Sequence, residues 1–469
     1  MPQEPRTEQL QEKDFDAVTS QCQAAGFNLS ALKIHSKRVS HYLQNGVNPT
    51  FPIIDTCRLD NRKILISTVS GDSNTASRYA AFVPAAGAAS RYQTSLSELA
   101  KQQNTAAPMA PKALLPAVAE GDSFLRIKQL EHRAIGAFAS QVFIAPAGES
   151  ANFKRELDRH SQSSDAPFSV FEQDIKLSTL RFTESGRVLM ESDQPSGVPA
   201  GHGSLLELLN QVPRPSGTHS FFIRNIDNIC GVRSPAIQAT REFLATHDRA
   251  LSLLKGLRTH LQDNRHSEAA HESAELLNLY GIEATTALDH HKPVSQDAAK
   301  KAVFKTLTSL FGLLDTGASS WTDLIRLSQR PLVSMGMVPN LGKDIGGSPV
   351  IAETPLGMAH LCIELPHVAA LDRTRWLSRP TVCSHFNPVF IAVEAPSSEN
   401  PYATFSHPFW IVAEKTYRGR KVFYHESLMS EILGNSLISN CVFVEIPRIL
   451  FTPHKTAQDA LGRGIADWT

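Results

Sequence analysis

Neither charge predominates in this chain of 469 residues, where 46 lysines and arginines stand against 46 aspartates and glutamates. That balance leaves no basic field for holding nucleic acid or an anionic membrane without sequence preference. The six cysteines, Cys22, Cys57, Cys230, Cys362, Cys383 and Cys441, form no C-x-x-C pair and no zinc spacing. They read as reduced, mostly buried thiols of a cytoplasmic protein. No apolar stretch approaches membrane-spanning length, and the start M-P-Q-E-P-R-T-E-Q-L lacks the basic and apolar regions of a secretory signal. No G-x-G-x-x-G follows a strand, which argues against a dinucleotide-binding dehydrogenase, and Asp227-Asn228 does not supply the D-x-D pair that a metal-dependent glycosyltransferase would need. Internal repeats and long low-complexity tracts are also missing.

What is present alternates between strand and helix signals. Residues 1–60 read as a helical arm, with Phe15, Val18 and Cys22 at helical spacing and a second amphipathic stretch over Leu29–Leu43. Strands are expected at Lys63–Ile66, Ala81–Pro84 and Gln141–Ala145, with helices at Tyr92–Gln103, Phe124–Phe138 and Ala151–Arg159. From Val232 the spacing turns helical through Arg241–Leu261, Ser267–Tyr280, Ala298–Leu314 and Trp321–Leu327. This predicts a helical insertion at 232–330 between two halves of a sheet domain, 61–231 and 331–469. Strands return at Val333–Val338, Val389–Val393 and Cys441–Ile446, and Phe451–Leu461 leads into a terminal helix. The expected fold is a Rossmann-like α/β unit with a mixed, mostly parallel sheet and helices on both faces. His266, His271, His290 and His291 have no ligand spacing and read as solvated helix residues.

Several segments carry chemistry. Ala85, Ala86, Gly87, Ala88 and Ala89 follow a buried strand and end on Ser90 and Arg91. Side chains this small let a backbone approach an anion closely, and Arg91 adds a fixed cation, although plain strand–helix packing uses the same residues. Lys112 lies between Pro111 and Pro116. Gly201, His202 and Gly203 precede a helical Leu205–Leu209, a loop suited to passing close to a ligand or simply a helix start capped by Ser204. The strand at Phe221 ends on Asn225, Asp227 and Asn228, where an open α/β sheet binds ligands, and Asp227 is the kind of hard oxygen donor that Mg²⁺ prefers. A turn is the alternative there. His385 and Asn387 sit beside a further strand, and Asn340, Gly346 and Gly347 belong to a long glycine-bearing loop.

Together these segments resemble the sugar-nucleotide pyrophosphorylases. Ala85–Arg91 is similar to their A-[AG]-G-x-G-T-R loop, Pro111–Pro116 to their P-K-x-L-x-P segment and Gly201–Gly203 to the P-G-H-G loop of UDP-glucose pyrophosphorylases. Phe222–Asn228 resembles their strand ending in Asp-Asn, and Phe451–Leu461 their late F-x-P-V-K segment. Nearly the whole chain also resembles an uncharacterised bacterial group, family 4301 of the domains of unknown function. Ala89 stands in place of a loop glycine, Ser90 of threonine, Ser204 of aspartate and His454 of valine. These departures bear on base and sugar selection more than on phosphate chemistry.

The resemblance implies a fold of the nucleotide-diphospho-sugar transferase type and a Mg²⁺-dependent nucleotidyltransferase. A nucleoside triphosphate, UTP by analogy, would react with a sugar 1-phosphate or similar acceptor and release pyrophosphate. Arg91 and Lys112 would grip the triphosphate, Asp227 would hold Mg²⁺ and Lys455 the incoming phosphate. The backbone and side chains of Ala85–Ala88, Ser90 and Gly201–Gly203 would line the nucleotide. Asn225, Asn228, His385, Asn387, Asn340, Gly346 and Gly347 would serve the acceptor. A catalytically inactive nucleotide-sugar-binding regulator is the alternative. The pattern specifies neither base, sugar nor oligomeric state.

Overall fold

A computed structural model gives the fold for residues 15, 18–67, 69–87, 90–102, 104, 110–118, 121–163, 165–283, 294–312, 320–342, 346–355, 357–377, 383–396, 400–402 and 409–461. Ala88, Ala89, His290, His291 and residues 343–345 lie outside the described residues. The central sheet contains β1 (Tyr79–Pro84), β2 (Ser140–Pro146), β3 (Phe168–Gln173), β4 (Ser220–Arg224), β5 (Leu332–Pro339), β6 (His385–Phe386), β7 (Phe390–Glu394) and β8 (Asn440–Glu445). Across the sheet the order is β3-β2-β1-β4-β7-β5-β8, with β6 pairing the carboxyl end of β5. Every pairing is parallel except those made by β6 and β7. The fully buried run Y-A-A-F-V-P of β1 suits a strand covered on both faces.

The topology decides where a ligand can sit. The chain steps outward from β1 to β2 and β3, then returns to lay β4 on the other flank of β1. Beyond the carboxyl ends of β1 and β4 the connections diverge and open a crevice.

Both faces are covered. On one, the helix Pro235–Gln262 starts at Ser234, whose side chain accepts from the Ala236 N–H, with proline in the first turn. Its Phe243, Leu244 and Leu251 share a core with Tyr79, Ala81, Phe222 and Phe390. The Tyr79 hydroxyl donates to the Leu244 carbonyl at 2.6 Å, and the His247 ring bridges Ser220 of β4 and Ser334 of β5. The first helix of the 232–330 segment is thus a cover of the sheet itself. On the opposite face Phe82, Val142 and Ile144 pack against Leu205, Leu206 and Leu209, together with Met429 and Leu433 of a short helix.

Three expectations need correction. Lys63–Ile66 is no strand: the turn at Leu59–Lys63 leaves only Leu65 to bridge Val444 of β8. Leu205–Leu209 lies in 3₁₀ geometry, as part of His202–Asn210. Phe451–Leu461 does lead into a helix, which starts at Ala457, and the bridge between Asn228 and Pro453 lies before it. The helix beginning at Phe124 stops at Ile135, with Gly136 as its C-cap.

Three smaller pieces flank the sheet. Ile53–Thr56, Ser348–Thr354 and Gly357–Ile363 make an antiparallel sheet of their own, and Trp410–Tyr417 pairs with Arg420–Ser427 as a ribbon. Leu32 and Val39 of the helix Leu29–Asn45 pack on Trp410, Val412 and Phe423 of that ribbon. The six cysteines are buried and unbridged. Among the described residues no helix is long and apolar enough to cross a membrane.

The end of β4 is pinned by buried charge. Arg224 forms an ion pair with Glu131 Oε1, while Lys128 reaches Glu131 Oε2 at 3.0 Å, and all three side chains are essentially inaccessible. Lys128 also donates to the Asn228 carbonyl at 2.8 Å and Arg224 to the Leu450 carbonyl at 3.1 Å. Removing one member of such a cluster strands the others without a counter-charge. Glu131→Gln should therefore lower the unfolding free energy by about 3–5 kcal/mol in a urea titration. Arg249→Ala breaks an exposed pair with Glu275 and should cost less than about 1 kcal/mol. Equal losses in the two variants would show that the buried cluster contributes no more than a surface contact.

Candidate active site

A cavity of about 470 Å³ opens at the switch between β1 and β4. Its floor is the loop after β1, where Ala85 is buried and Gly87 exposed, and the helix Ser90–Gln102 begins directly afterwards. A Cβ placed on Gly87 would meet no atom within 4 Å, so packing does not demand glycine there. Ile226 donates its N–H to the Pro84 carbonyl at 3.2 Å, which joins the end of β4 to the end of β1.

Four side chains distant in sequence meet at this point. Lys112 Nζ lies 3.3 Å from Asp227 Oδ2 and Lys455 Nζ lies 2.6 Å from the same oxygen. Arg91 lines the same cavity. Lys112 starts a 3₁₀ turn after Pro111, donates to the His454 carbonyl, and sits 5.2 and 5.1 Å from the ring centres of Tyr92 and Phe124. Lys455 is placed by its own segment: the His454 N–H donates to the Asp227 carbonyl at 2.9 Å, and Asp459 accepts from the Lys455 and Thr456 N–H groups.

Burial works against the charged forms of Asp227 and Lys112, and the two come out differently. It pushes the Asp227 carboxyl upward, but Lys112 and Lys455 outweigh it and hold the group below the usual carboxylate range. Burial lowers the Lys112 ammonium; Asp227 opposes that, while Lys455 and Arg91 add to it. Three cations against one carboxylate leave this end of the crevice positive, which suits a polyanion.

Gly201 and His202 also line the cavity. His202 Nδ1 accepts from the Met429 N–H at 2.9 Å, which leaves the ring proton on Nε2. Burial lowers its pKa against the opposing charge of Glu364, so the ring is neutral. The two flanking glycines answer to the ribbon. A Cβ on Gly201, whose φ is +82°, would fall 2.5 Å from the Ser427 carbonyl oxygen, and one on Gly203 would fall 2.7 Å from the Ser427 carbonyl carbon. The expectation that both glycines make room for a ligand is corrected: their bareness lets the end of the ribbon press against the loop. Ser204 Oγ donates to the Gly201 carbonyl at 2.7 Å, and Gly203 is buried outside the crevice lining.

The expected acceptor residues divide. Asn225 lines the crevice. Asn228 does not: it is 2% exposed and its Oδ1 accepts from the Thr452 N–H and hydroxyl, so it holds the Phe451–Pro453 segment. His385, Asn387, Asn340, Gly346 and Gly347 gather at the carboxyl end of β5 and none of them lines the cavity. The Asn387 amide donates to the Gly336 and Phe390 carbonyls, and its Oδ1 accepts from the Val389 N–H, patching the break between β6 and β7. His385 is buried, its pKa lowered to about 4 by that burial. A Cβ on Gly346 would strike Phe386, and one on Gly347 would strike Cys362, so both glycines serve packing.

Gln173, Tyr424 and Glu426 line the cavity without having been foreseen. The last two lie on the ribbon, whose alternating pattern across Arg418-Gly419 is a hairpin signal that motif reading passes over. Among the described residues no cluster of three or more metal-binding side chains exists, so Asp227 stands as a lone candidate ligand.

Known structures share this architecture. A variant of UDP-glucose pyrophosphorylase from Leishmania major, in complex with UDP-glucose, is 14% identical, with a TM-score of 0.53 over 96% of this chain and 78% of its own. UDP-glucose phosphorylase from Trypanosoma brucei is 15% identical, covering 95% of this chain and 77% of its own with a TM-score of 0.49. A putative UDP-N-acetylglucosamine pyrophosphorylase from Entamoeba histolytica is 11% identical, covering 89% of this chain and 87% of its own with a TM-score of 0.45. At 14% identity the first likeness shows that the two chains share a fold and nothing finer. A search of the curated proteins gives no significant match. The model of the domain of unknown function DUF4301 matches residues 149–464, from the helix before β3 to the segment carrying Lys455, and the chain belongs to that family.

Proposed function

We propose that this chain is a nucleotidyltransferase that joins a nucleoside triphosphate, UTP by resemblance, to a sugar 1-phosphate or similar phosphorylated acceptor and releases pyrophosphate. The observation that carries the reading is the meeting of Arg91, Lys112, Asp227 and Lys455 in one crevice at the switch point of the sheet. An acceptor phosphate oxygen attacks the α-phosphorus, a new P–O bond forms, and the bond to the departing pyrophosphate breaks. The attacking phosphate is already ionised, so no protein base is required; the protein holds two polyanions together and neutralises the charge that shifts between them. In this reading Arg91 and Lys112 grip the triphosphate and Lys455, on the same Asp227 oxygen as Lys112, holds the incoming phosphate.

Mg²⁺ fits this site as a partner of one carboxylate plus substrate oxygens, a common arrangement for that ion. Both ammonium groups are on Asp227 Oδ2, and Oδ1 has no hydrogen-bond partner among the described residues. When bound, the ion would supply charge neutralisation at the phosphates. Without it, Asp227 keeps Lys112 and Lys455 within one hydrogen-bond radius of each other's carboxylate partner and so preserves their spacing.

A panel of nucleoside triphosphates and phosphorylated acceptors with Mg²⁺, read by pyrophosphate release, tests the reading. Lys112→Ala and Asp227→Asn should each lower turnover by about a hundredfold or more while circular dichroism stays unchanged. Normal turnover in either variant removes that residue from the mechanism. Calorimetric binding of UTP without turnover by the wild-type chain would instead favour a regulatory binding protein.

The pH profile gives an independent check. The charged ammonium of Lys112 is the form that grips phosphate, and its pKa is depressed by burial. Raising the pH through that depressed value removes the charge, so KM for the triphosphate should climb below the ordinary lysine range. Lys112→Arg stays charged and should shift the climb to higher pH. Asp227, held below the usual carboxylate range, should add no acid limb through mildly acidic pH. An alkaline limb unmoved in the arginine variant would assign it to another group.

A further inference from the structure

The crevice has a second wall that phosphate chemistry leaves unused. Glu426 and Tyr424 line it from the strand Arg420–Ser427, where alternate residues share one side of the ribbon. Among the described residues no hydrogen bond or ion pair holds the Glu426 carboxylate. Its backbone, by contrast, is fixed on two sides. Glu426 pairs with Ile411 across the ribbon, and the next residue, Ser427, donates its N–H to the Ala200 carbonyl at 2.8 Å. Gly201 completes the seating: a Cβ there would lie 3.4 Å from the Glu426 Cβ. The same loop supplies His202, whose protonated Nε2 belongs to a ring already anchored through Nδ1. A rigidly mounted acceptor and a ring donor therefore line the same cavity as the cations, from segments distant from them in sequence.

The charge of Glu426 limits what can face it. A phosphate would be repelled. The pairing edge of uracil presents one N–H flanked by two carbonyl oxygens, which would repel the second carboxylate oxygen. Two neighbouring hydroxyl groups are the complementary partner, each O–H donating to one oxygen of the carboxylate. Burial and the nearby Glu364 raise the Glu426 pKa, with Lys415 opposing, so an unpaired carboxylate here has reason to gain donors.

We propose that Glu426 is a specificity-determining residue that accepts hydrogen bonds from a vicinal pair of substrate hydroxyls, with His202 Nε2–H as the neighbouring donor. This rests on the nucleotidyltransferase reading of the crevice and deepens it by naming the part of the substrate the ribbon selects. The hydroxyls belong to the ribose of the nucleotide or to the ring of the acceptor sugar, and the test separates the two.

Calorimetry on the full chain with UTP, 2′-deoxy-UTP, UDP-glucose and UDP-2-deoxyglucose needs no turnover. The wild type should bind one hydroxylated probe about tenfold or more tightly than its deoxy counterpart. E426Q should erase that ratio and leave the deoxy probe within about twofold. A ratio in the UTP pair assigns the ribose, and one in the UDP-glucose pair the acceptor ring. E426Q that binds all four probes as the wild type does, or weakens all four equally, overturns the proposal. K112A separates the two readings: equal weakening of all four probes supports the phosphate grip. Unchanged binding in K112A sinks the nucleotidyltransferase reading while the deoxy comparison on E426Q still stands or falls by itself. If the wild type binds none of the probes, both fail.

Discussion

One buried carboxylate fixes the geometry on which the crevice depends. Glu131 lies between Arg224, the last residue of β4, and Lys128 of its own helix, and both cations reach onward to backbone carbonyls at Leu450 and Asn228. Those carbonyls belong to the two stretches of chain that carry Lys455 and Asp227. A charge taken out of water is costly unless its partners are in place, so the backbone groups here have little freedom to wander. The rigidity of the candidate site is thus set one layer beneath it, among groups that a substrate would never touch.

Above that layer the crevice divides its labour by structural origin. The positive end is assembled from the end of β4, the helix Ser90–Gln102, the turn at Lys112 and the late segment around His454; Asp227 joins Lys112 to Lys455, and Lys112 also reaches the His454 carbonyl, 342 positions further along the chain. Asp227 has two consequences for the lysines. It opposes the lowering of the Lys112 pKa by burial, and it holds both ammonium groups on one oxygen. The other wall comes from a ribbon that is no part of the central sheet, pressed onto the loop at Gly201 and Gly203.

How far the amino-acid pattern carried depended on whether a feature was local. β1 and the small-residue loop were legible because a continuous apolar run and a cluster of side chains without bulk are neighbours in the chain. Lys112, Asp227 and Lys455 were legible through motif likeness, and their meeting in space agrees with it. The long helix over Pro235–Gln262 was legible from its 3.6-residue period, but its position as the cover of the sheet was not, since period alone does not say what a face packs against. Asn228, Asn387, Gly346 and Gly347 had the right chemistry for a ligand, yet tertiary contacts use their amides and bare α-carbons for the protein's own packing. Lys128 and Glu131 carried no signal, because nothing nearby in sequence announces that Arg224 will pair with the same carboxylate. Glu426 lay in a hairpin with no motif at all.

That hairpin has a property of its own. Its odd-numbered positions, Phe423 and His425, turn to the amino-terminal helix, where His425 stacks on His35 at 3.9 Å, while Tyr424 and Glu426 turn to the cavity. Which set meets the substrate is a matter of parity, fixed by the length of the bend between Tyr417 and Arg420. A single inserted residue there would exchange a carboxylate for an imidazole along the wall and leave the phosphate end as it was. Drift in one exposed bend would therefore change the side chains on that wall and leave the cations around Asp227 in place.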